Sequence, residues 1–405
     1  MKTFVMKKEA KNAIVLGTLC CIAYLAVYIA RNVLSTVSPQ MIKDGIFDKE
    51  FVGTLSSIFF ISYALGQLIN GLVGNRIKAK YMMSLGLLLS GVSNYIFSVA
   101  PAAPPFSYAA YALCGFFLSM IYAPMTKLVA DSVEPIYASR CGISYTFAMF
   151  FGSPLAGVLA AFLAWQGVFA ASSGILIIMA IVCFVLFTGF EKRGIAKDVP
   201  MPKTEKSAGK IGLLLKRQIV KFTFVAILTG VIRTTVIFWL PTYIEEYLGF
   251  PEKEALLVFS AATFILSASS FIALAVFEKS KRSIDKSVLF FFIVSTLAFV
   301  LVYSVKQPVF NLLFMVVAIM TSNGASSILW SMYCPSLKDT GMVSGATGFL
   351  NFSSYIAASV SSTIFANTVD SIGWGNLILV WGGLMAVGVA IALPYRKNHK
   401  GLSHE

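Results

Sequence analysis

The sequence predicts an all-α, polytopic membrane protein with twelve transmembrane helices in two pseudo-symmetric six-helix bundles. Three observations predict it. Long apolar runs recur along the whole chain, 58% of the 405 residues are hydrophobic against 12% charged, and landmarks of the first half return at a fixed offset in the second. An average soluble domain carries about 25% charged residues, and a soluble interior could not hide this much apolar surface.

The first apolar run covers 13–37, too long for the core of a signal peptide and without a small-residue cleavage site at its end, so it is expected to remain as the first helix. Five more follow at 51–74, 81–100, 106–129, 141–163 and 167–190, and six others at 219–243, 255–277, 287–305, 308–331, 341–366 and 372–394. Each can span about 30 Å of hydrocarbon as a helix. A helix also satisfies its own backbone groups, which lipid demands. Residues 1–190 are expected to form the first bundle, 191–218 a cytosolic linker and 219–405 the second bundle with its tail. The linker is rich in lysine and arginine, and its end, KIGLLLKRQIVKF, has the pattern of a short interfacial amphipathic helix.

The formal charge of +14 could point to a nucleic-acid partner, so the placement of the basic residues decides its meaning. With alternating passes from a cytosolic N-terminus, 26 lysines and arginines fall inside, four outside (Lys43, Lys49, Lys253, Lys306) and two within helices (Arg31, Arg233). Such an asymmetry is the positive-inside signature, so both termini are expected in the cytoplasm of a plasma (cell inner) membrane protein, with no nucleic-acid partner. Six cysteines in or beside apolar segments, without a CxxC pair or a nearby histidine, give no basis for a disulfide framework or a metal site, and no cofactor is expected. A monomer is expected.

The internal repeat is the most informative feature. Arg31 precedes Pro39 by eight residues, Arg233 precedes Pro241 by eight, and the two pairs are offset by 202. The second segment of each half opens on an acidic-lysine-acidic triplet, Asp48-Lys49-Glu50 and Glu252-Lys253-Glu254, and a tryptophan, Trp165 or Trp374, marks the last turn of each half. Features in this register indicate a duplicated unit in parallel orientation. Arg31 and Arg233 are then expected to face each other across the axis between the halves.

An arginine deep in a membrane helix costs about 2.5 to 3.5 kcal/mol on insertion scales. Helix rise puts Arg31 about 12 Å below Pro39, too deep for easy snorkelling. All 18 acidic residues fall in loops, tails or helix ends, so a structural ion pair at that depth is disfavoured and an anionic ligand is the expected counter-charge. The planar guanidinium fork suits carboxylate or phosphate. Tyr24, Tyr28 and Arg31 share one helical face, as do Tyr63, Gln67 and Asn70. Cavity lining and helix-to-helix hydrogen bonding both fit the second set. Asn323, Ser327 and Trp330, and Thr347, Asn351 and Tyr355, present similar faces, whereas Ser260, Thr263, Ser267 and Ser270 read as packing residues. The stretch GLVGNRIKAK (71–80) reads either as a gate latch or as a topology anchor. With no acid or histidine at depth to relay protons and no GxxxxGK[ST] motif for ATP, exchange of one anion for another is the expected coupling.

YLAVYIARN (24–32), ISYALGQLINGLVGNR (61–76), VIRTTVIFWLPTYI (231–244) and TVDSIGW (368–374) resemble the major facilitator superfamily, and within it the organophosphate:phosphate antiporters of glycerol-3-phosphate and hexose phosphates. The resemblance implies the major facilitator fold and a small anionic substrate whose phosphate lies between Arg31 and Arg233, with Tyr24, Tyr28 and Tyr63 lining the same cavity. The chain departs from the family where Phe147 replaces a histidine, Asn32 and Gln67 replace lysines, Gly230 and Asn351 replace tyrosines and Asn75 replaces an aspartate. Fewer positive charges favour a monoanion, such as a carboxylate or sugar acid. The substrate-binding set expected is Arg31, Arg233, Tyr24, Tyr28, Tyr63, Gln67 and Asn351. Relatives of the hexose-phosphate carriers act as receptors, so a membrane sensor without net transport is the alternative.

Overall fold

The structure is a computed structural model and describes residues 8–73, 77–99, 104–197, 211–337 and 343–393. Each of the twelve apolar runs falls on a helix. The first six are α1 (Lys8–Lys43), α2 (Lys49–Val73), α3 (Ala79–Val99), α4 (Pro104–Ser132), α5 (Pro135–Phe162) and α6 (Trp165–Lys192). The next four are α7 (Ile219–Tyr247), α8 (Glu252–Lys279), α9 (Ile284–Ser304) and α10 (Pro308–Ser336). The remaining helical stretch, Val343–Ala392, is broken at Gly373 (φ 77°) into α11 (343–372) and α12 (374–392). A short helix, Ile211–Lys216, lies in the stretch where an interfacial helix is expected before α7, and Gln218 after it is in the left-handed region.

Local sequence explains the ends. Asp48 caps α2 by accepting from the Phe51 amide at 2.7 Å, and Gln307 caps α10 by accepting from the Phe310 amide at 2.8 Å. Pro135 and Pro308 occupy first-turn positions, where a missing N–H costs nothing. Gly45 (φ 66°) and Gly249 (φ 76°) follow α1 and α7, one in each half, where the left-handed conformation favours glycine.

The helices of each half pack mainly on one another, α1 with α5 and α3 with α6 in the first, α7 with α11 and α9 with α10 and α12 in the second. Between halves, α2 lies along α11, α5 along α8 and α1 along α7. The face bearing the start of α1 is called here the Lys8 face, and the face bearing its end the Lys43 face. Close approach of the halves near the Lys43 face requires glycine at two places. A methyl group on Gly53 would sit 2.2 Å from Ala366 Cβ, and one on Gly157 would sit 2.3 Å from Ser260 Oγ. Ser260 and Thr263 bond to their own helix backbone, consistent with the packing role expected of them.

Candidate functional site

Arg31 is enclosed by four aromatic rings. Its guanidinium carbon lies 4.9 Å from the Tyr63 centroid, 5.0 Å from Tyr355, and 5.7 Å from both Tyr28 and Phe60. Helical spacing builds most of this cage: Tyr28 is one turn back on α1, and Phe60 and Tyr63 are one turn apart on α2. Tyr355 comes from α11 in the other half and meets Tyr63 edge-on at 5.3 Å. Cation–π contacts contribute about 0.5 to 2 kcal/mol each. They offset part of a burial cost of several kcal/mol per ion while leaving the formal charge in place.

Arg233 projects from a π-helical turn, Ile232–Val236, inside α7. Such turns carry an extra residue and recur at functional positions. Tyr28 and Tyr355 each lie within electrostatic range of both guanidinium groups. Arg31 and Arg233, one from each half, thus have Tyr28 and Tyr355 as common neighbours. Among the described residues neither is paired with a carboxylate.

Of the other expected site residues, Gln67 and Asn351 join each other, the Asn351 amide donating to Gln67 Oε1 from one half to the other. Tyr24 is buried behind Tyr28, with its ring 5.0 Å from Tyr28, 5.3 Å from Tyr122 and 6.3 Å from Tyr145. Asn70 turns away from the site and donates to Ser119 Oγ within the first half, so it packs helices. Asn32, at the position of a family lysine, donates to the Tyr28 carbonyl of its own helix at 2.6 Å. Gly230 has no room for the family's tyrosine, since even a methyl group would meet Ser354 Oγ at 2.1 Å. Ser327 bonds Ser270 between α10 and α8, and Trp330 donates to Ser326 on its own helix, so neither joins the cage. The side chain of Phe147 and residues 74–76, which include Asn75 of the latch stretch, lie outside the described residues. Phe60, Tyr122 and Tyr145 were not expected from the sequence. Phe60 carried a signal, being one turn before Tyr63, whereas nothing in local spacing marks Tyr122 or Tyr145.

The site opens toward one face. On α1, Arg31 and Asn32 are half-buried, while residues 33–39 beyond them are all buried; on α7, Arg233 is half-buried and 238–244 are all buried. Toward the Lys8 face, Tyr28, Leu25 and Cys21 recur as half-buried positions. The arrangement is a positively charged, aromatic-walled recess between the halves, closed above the arginines at the Lys43 face.

The model of the Major Facilitator Superfamily matches residues 20–362. The chain belongs to the major facilitator superfamily. It is accordingly a multi-pass membrane transporter rather than an enzyme. A D-xylose-proton symporter superposes with a TM-score of 0.73 at 14% identity over 94% of this chain and 96% of that one, which confirms the major facilitator fold. Among curated relatives, the membrane sensor protein UhpC of Salmonella typhimurium is 29% identical over 96 residues, 24% of this chain and 22% of the relative. A probable hexose phosphate transport protein of Chlamydia trachomatis is 24% identical over 193 residues, 46% of this chain and 40% of the relative. The match to each therefore spans well under half of its length. A hexuronate transporter of Bacillus subtilis is 24% identical over 397 residues, 90% of each chain. These names bear out the resemblance to the organophosphate-carrier group of this superfamily.

Proposed function

We propose that this chain carries a small organic anion, an organophosphate or a carboxylate such as a sugar acid, across the membrane by alternating access and in exchange for a second anion. The observation that carries the reading is the pair of guanidinium groups, one from each half, that share Tyr28 and Tyr355 and lack a carboxylate partner among the described residues. Arg31 and Arg233 hold the anion, Tyr28, Tyr63 and Tyr24 shape the wall, and Gln67 with Asn351 meets the rest of the substrate. An anion bound between two cations from opposite halves lowers the electrostatic cost of carrying them through the closed state, which favours exchange over return of the empty carrier. The names of the hexose phosphate and hexuronate relatives support both substrate classes. The neutral amide pair at Gln67 and Asn351, where the family carries a lysine and a tyrosine, supports the monoanion.

The working arrangement is a monomer in the plasma (cell inner) membrane, with the Lys8 face and both termini in the cytoplasm. Residues 1–190 and 219–405 are the two moving bodies, joined by a linker at 191–218. The match to a sensor protein favours one competing reading, a receptor that binds its anion without net transport. Purified protein in liposomes separates the two. Vesicles loaded with unlabelled hexuronate or inorganic phosphate should accumulate the labelled anion from outside if the chain exchanges. Binding of labelled anion without any counterflow would overturn the transport reading in favour of the receptor.

A further inference from the structure

The ion pairs described at the Lys43 face join the two halves. Lys49, leading α2, places its ammonium 2.8 Å from Glu246 on α7 and 2.8 Å from Asp370 on α11, and its side chain is only 13% exposed. Glu246 also accepts from the Trp374 indole at 3.2 Å. Lys43, ending α1, lies 3.3 Å from Glu252 and 3.9 Å from Glu245. Below these charges Ser38 and Thr242 hydroxyls meet at 3.4 Å, and Ser57 and Ser359 each donate to the other's backbone carbonyl. By contrast, Lys78 and Lys80 with Glu191, and Lys221 with Asp285, tie helices within one half at the Lys8 face.

The lysines of the repeated triplets complete the pattern. Lys253, the counterpart of Lys49, leads α8 and lies over the Phe162 ring at the end of α5 in the first half, 4.5 Å from its centroid. We propose that Lys49 and Lys253 form a two-sided latch, each reaching from the second helix of its own half onto the other half, which holds the Lys43 face shut and must release in every transport cycle. Lys49 is the stronger arm because it grips two carboxylates on two helices. Glu246 belongs to the π-helical turn Tyr243–Tyr247, on the same helix as Arg233, so the anion site and the latch share one rod. This proposal does not depend on the identity of the transported anion.

The test uses the detergent-purified full-length chain carrying S38C, whose position is fully buried behind the latch, and reads the rate of maleimide labelling. K49Q is expected to raise labelling at position 38 at least fivefold, K253Q less, while native Cys114, 1% exposed inside the first half, stays unlabelled. K49E should raise it further, and adding E246K to K49E should return the rate toward that of the unmodified latch. E246Q gives the same readout independently of any folding defect at position 49. Unchanged labelling in both K49Q and E246Q would overturn the proposal. So would a rise matched at Cys114, which marks general loosening, or a K49E/E246K pair no slower than K49E alone.

Discussion

Lysine in place of Arg31 keeps a cation at the same depth and removes the planar fork, so R31K separates charge from geometry. A guanidinium can give two parallel charge-assisted hydrogen bonds to one anion, whereas an ammonium offers a point charge. Losing one bond of this class costs about 1.5 to 3 kcal/mol, which is roughly 10- to 150-fold at about 1.4 kcal/mol per decade. The four rings around Arg31 can face an ammonium as well, so R31K keeps most of their cation–π attraction in the empty protein. No described carboxylate is orphaned by the change, so the empty protein should not lose stability. The assay pairs counterflow into anion-loaded liposomes, at sub-saturating external anion, with thermal melting of the same preparation. Counterflow should fall by one to two decades while the melting temperature of the empty protein stays level or rises. Counterflow at the normal rate would refute the assignment of the fork to the anion. A clear drop in melting temperature would instead make Arg31 a structural residue.

Three further outcomes follow from the geometry. G152A should push Tyr28 out of the cage, since the new methyl group would lie 2.3 Å from Tyr28 Cβ and 2.9 Å from its backbone carbonyl carbon; overpacking of this kind costs about 1 to 3 kcal/mol, seen as a weaker half-saturation for the anion in counterflow titrations. Q67K restores a third cation beside the arginines and breaks the bond to Asn351, so inorganic phosphate should compete at least threefold better against a monocarboxylate than it does in the unsubstituted protein. N311A should lower the apparent melting temperature without a specific transport signature, because Asn311 donates to the Val302 and Val305 carbonyls at the end of α9 and accepts from the Tyr243 hydroxyl; leaving buried groups unpaired costs about 1 to 3 kcal/mol each.

The membrane passes and the arginine pair were legible because they depend on local composition and on a register the duplication preserved. Gly373 illustrates this: TVDSIGW marked a turn, and the helix breaks there with a φ that favours glycine. The cage was half legible. Tyr28 and Tyr63 follow from helical spacing, whereas the approach of Tyr355 to both arginines depends on how α11 packs between α2 and α7, which no local pattern encodes. Asn70 had two readings open, cavity lining and helix-to-helix bonding, and the structure gives it the second, since it donates to Ser119 Oγ. The π-helical turn at Arg233 left no trace in IRTTV, since β-branched residues suit an ordinary helix in lipid as well. The acidic-lysine-acidic triplets were visible as landmarks of duplication, but the partners of Lys49 lie about 200 to 320 residues away in sequence, beyond the reach of spacing arguments.

Wide turns in α7 have a geometric corollary. Each residue of an α-helix advances the side-chain direction by about 100°, so the surplus residue within Ile232–Val236 sets the azimuth of everything that follows it on that rod. Glu246 lies 2.8 Å from Lys49 with this offset upstream and a second wide turn, Tyr243–Tyr247, around it. A one-residue deletion there would swing the acid a quarter-turn or more away from its lysine without altering either charge. The second half thus carries wide turns that α1, an unbroken helix through Arg31, does without, so two halves alike in plan set the angles of their first helices differently.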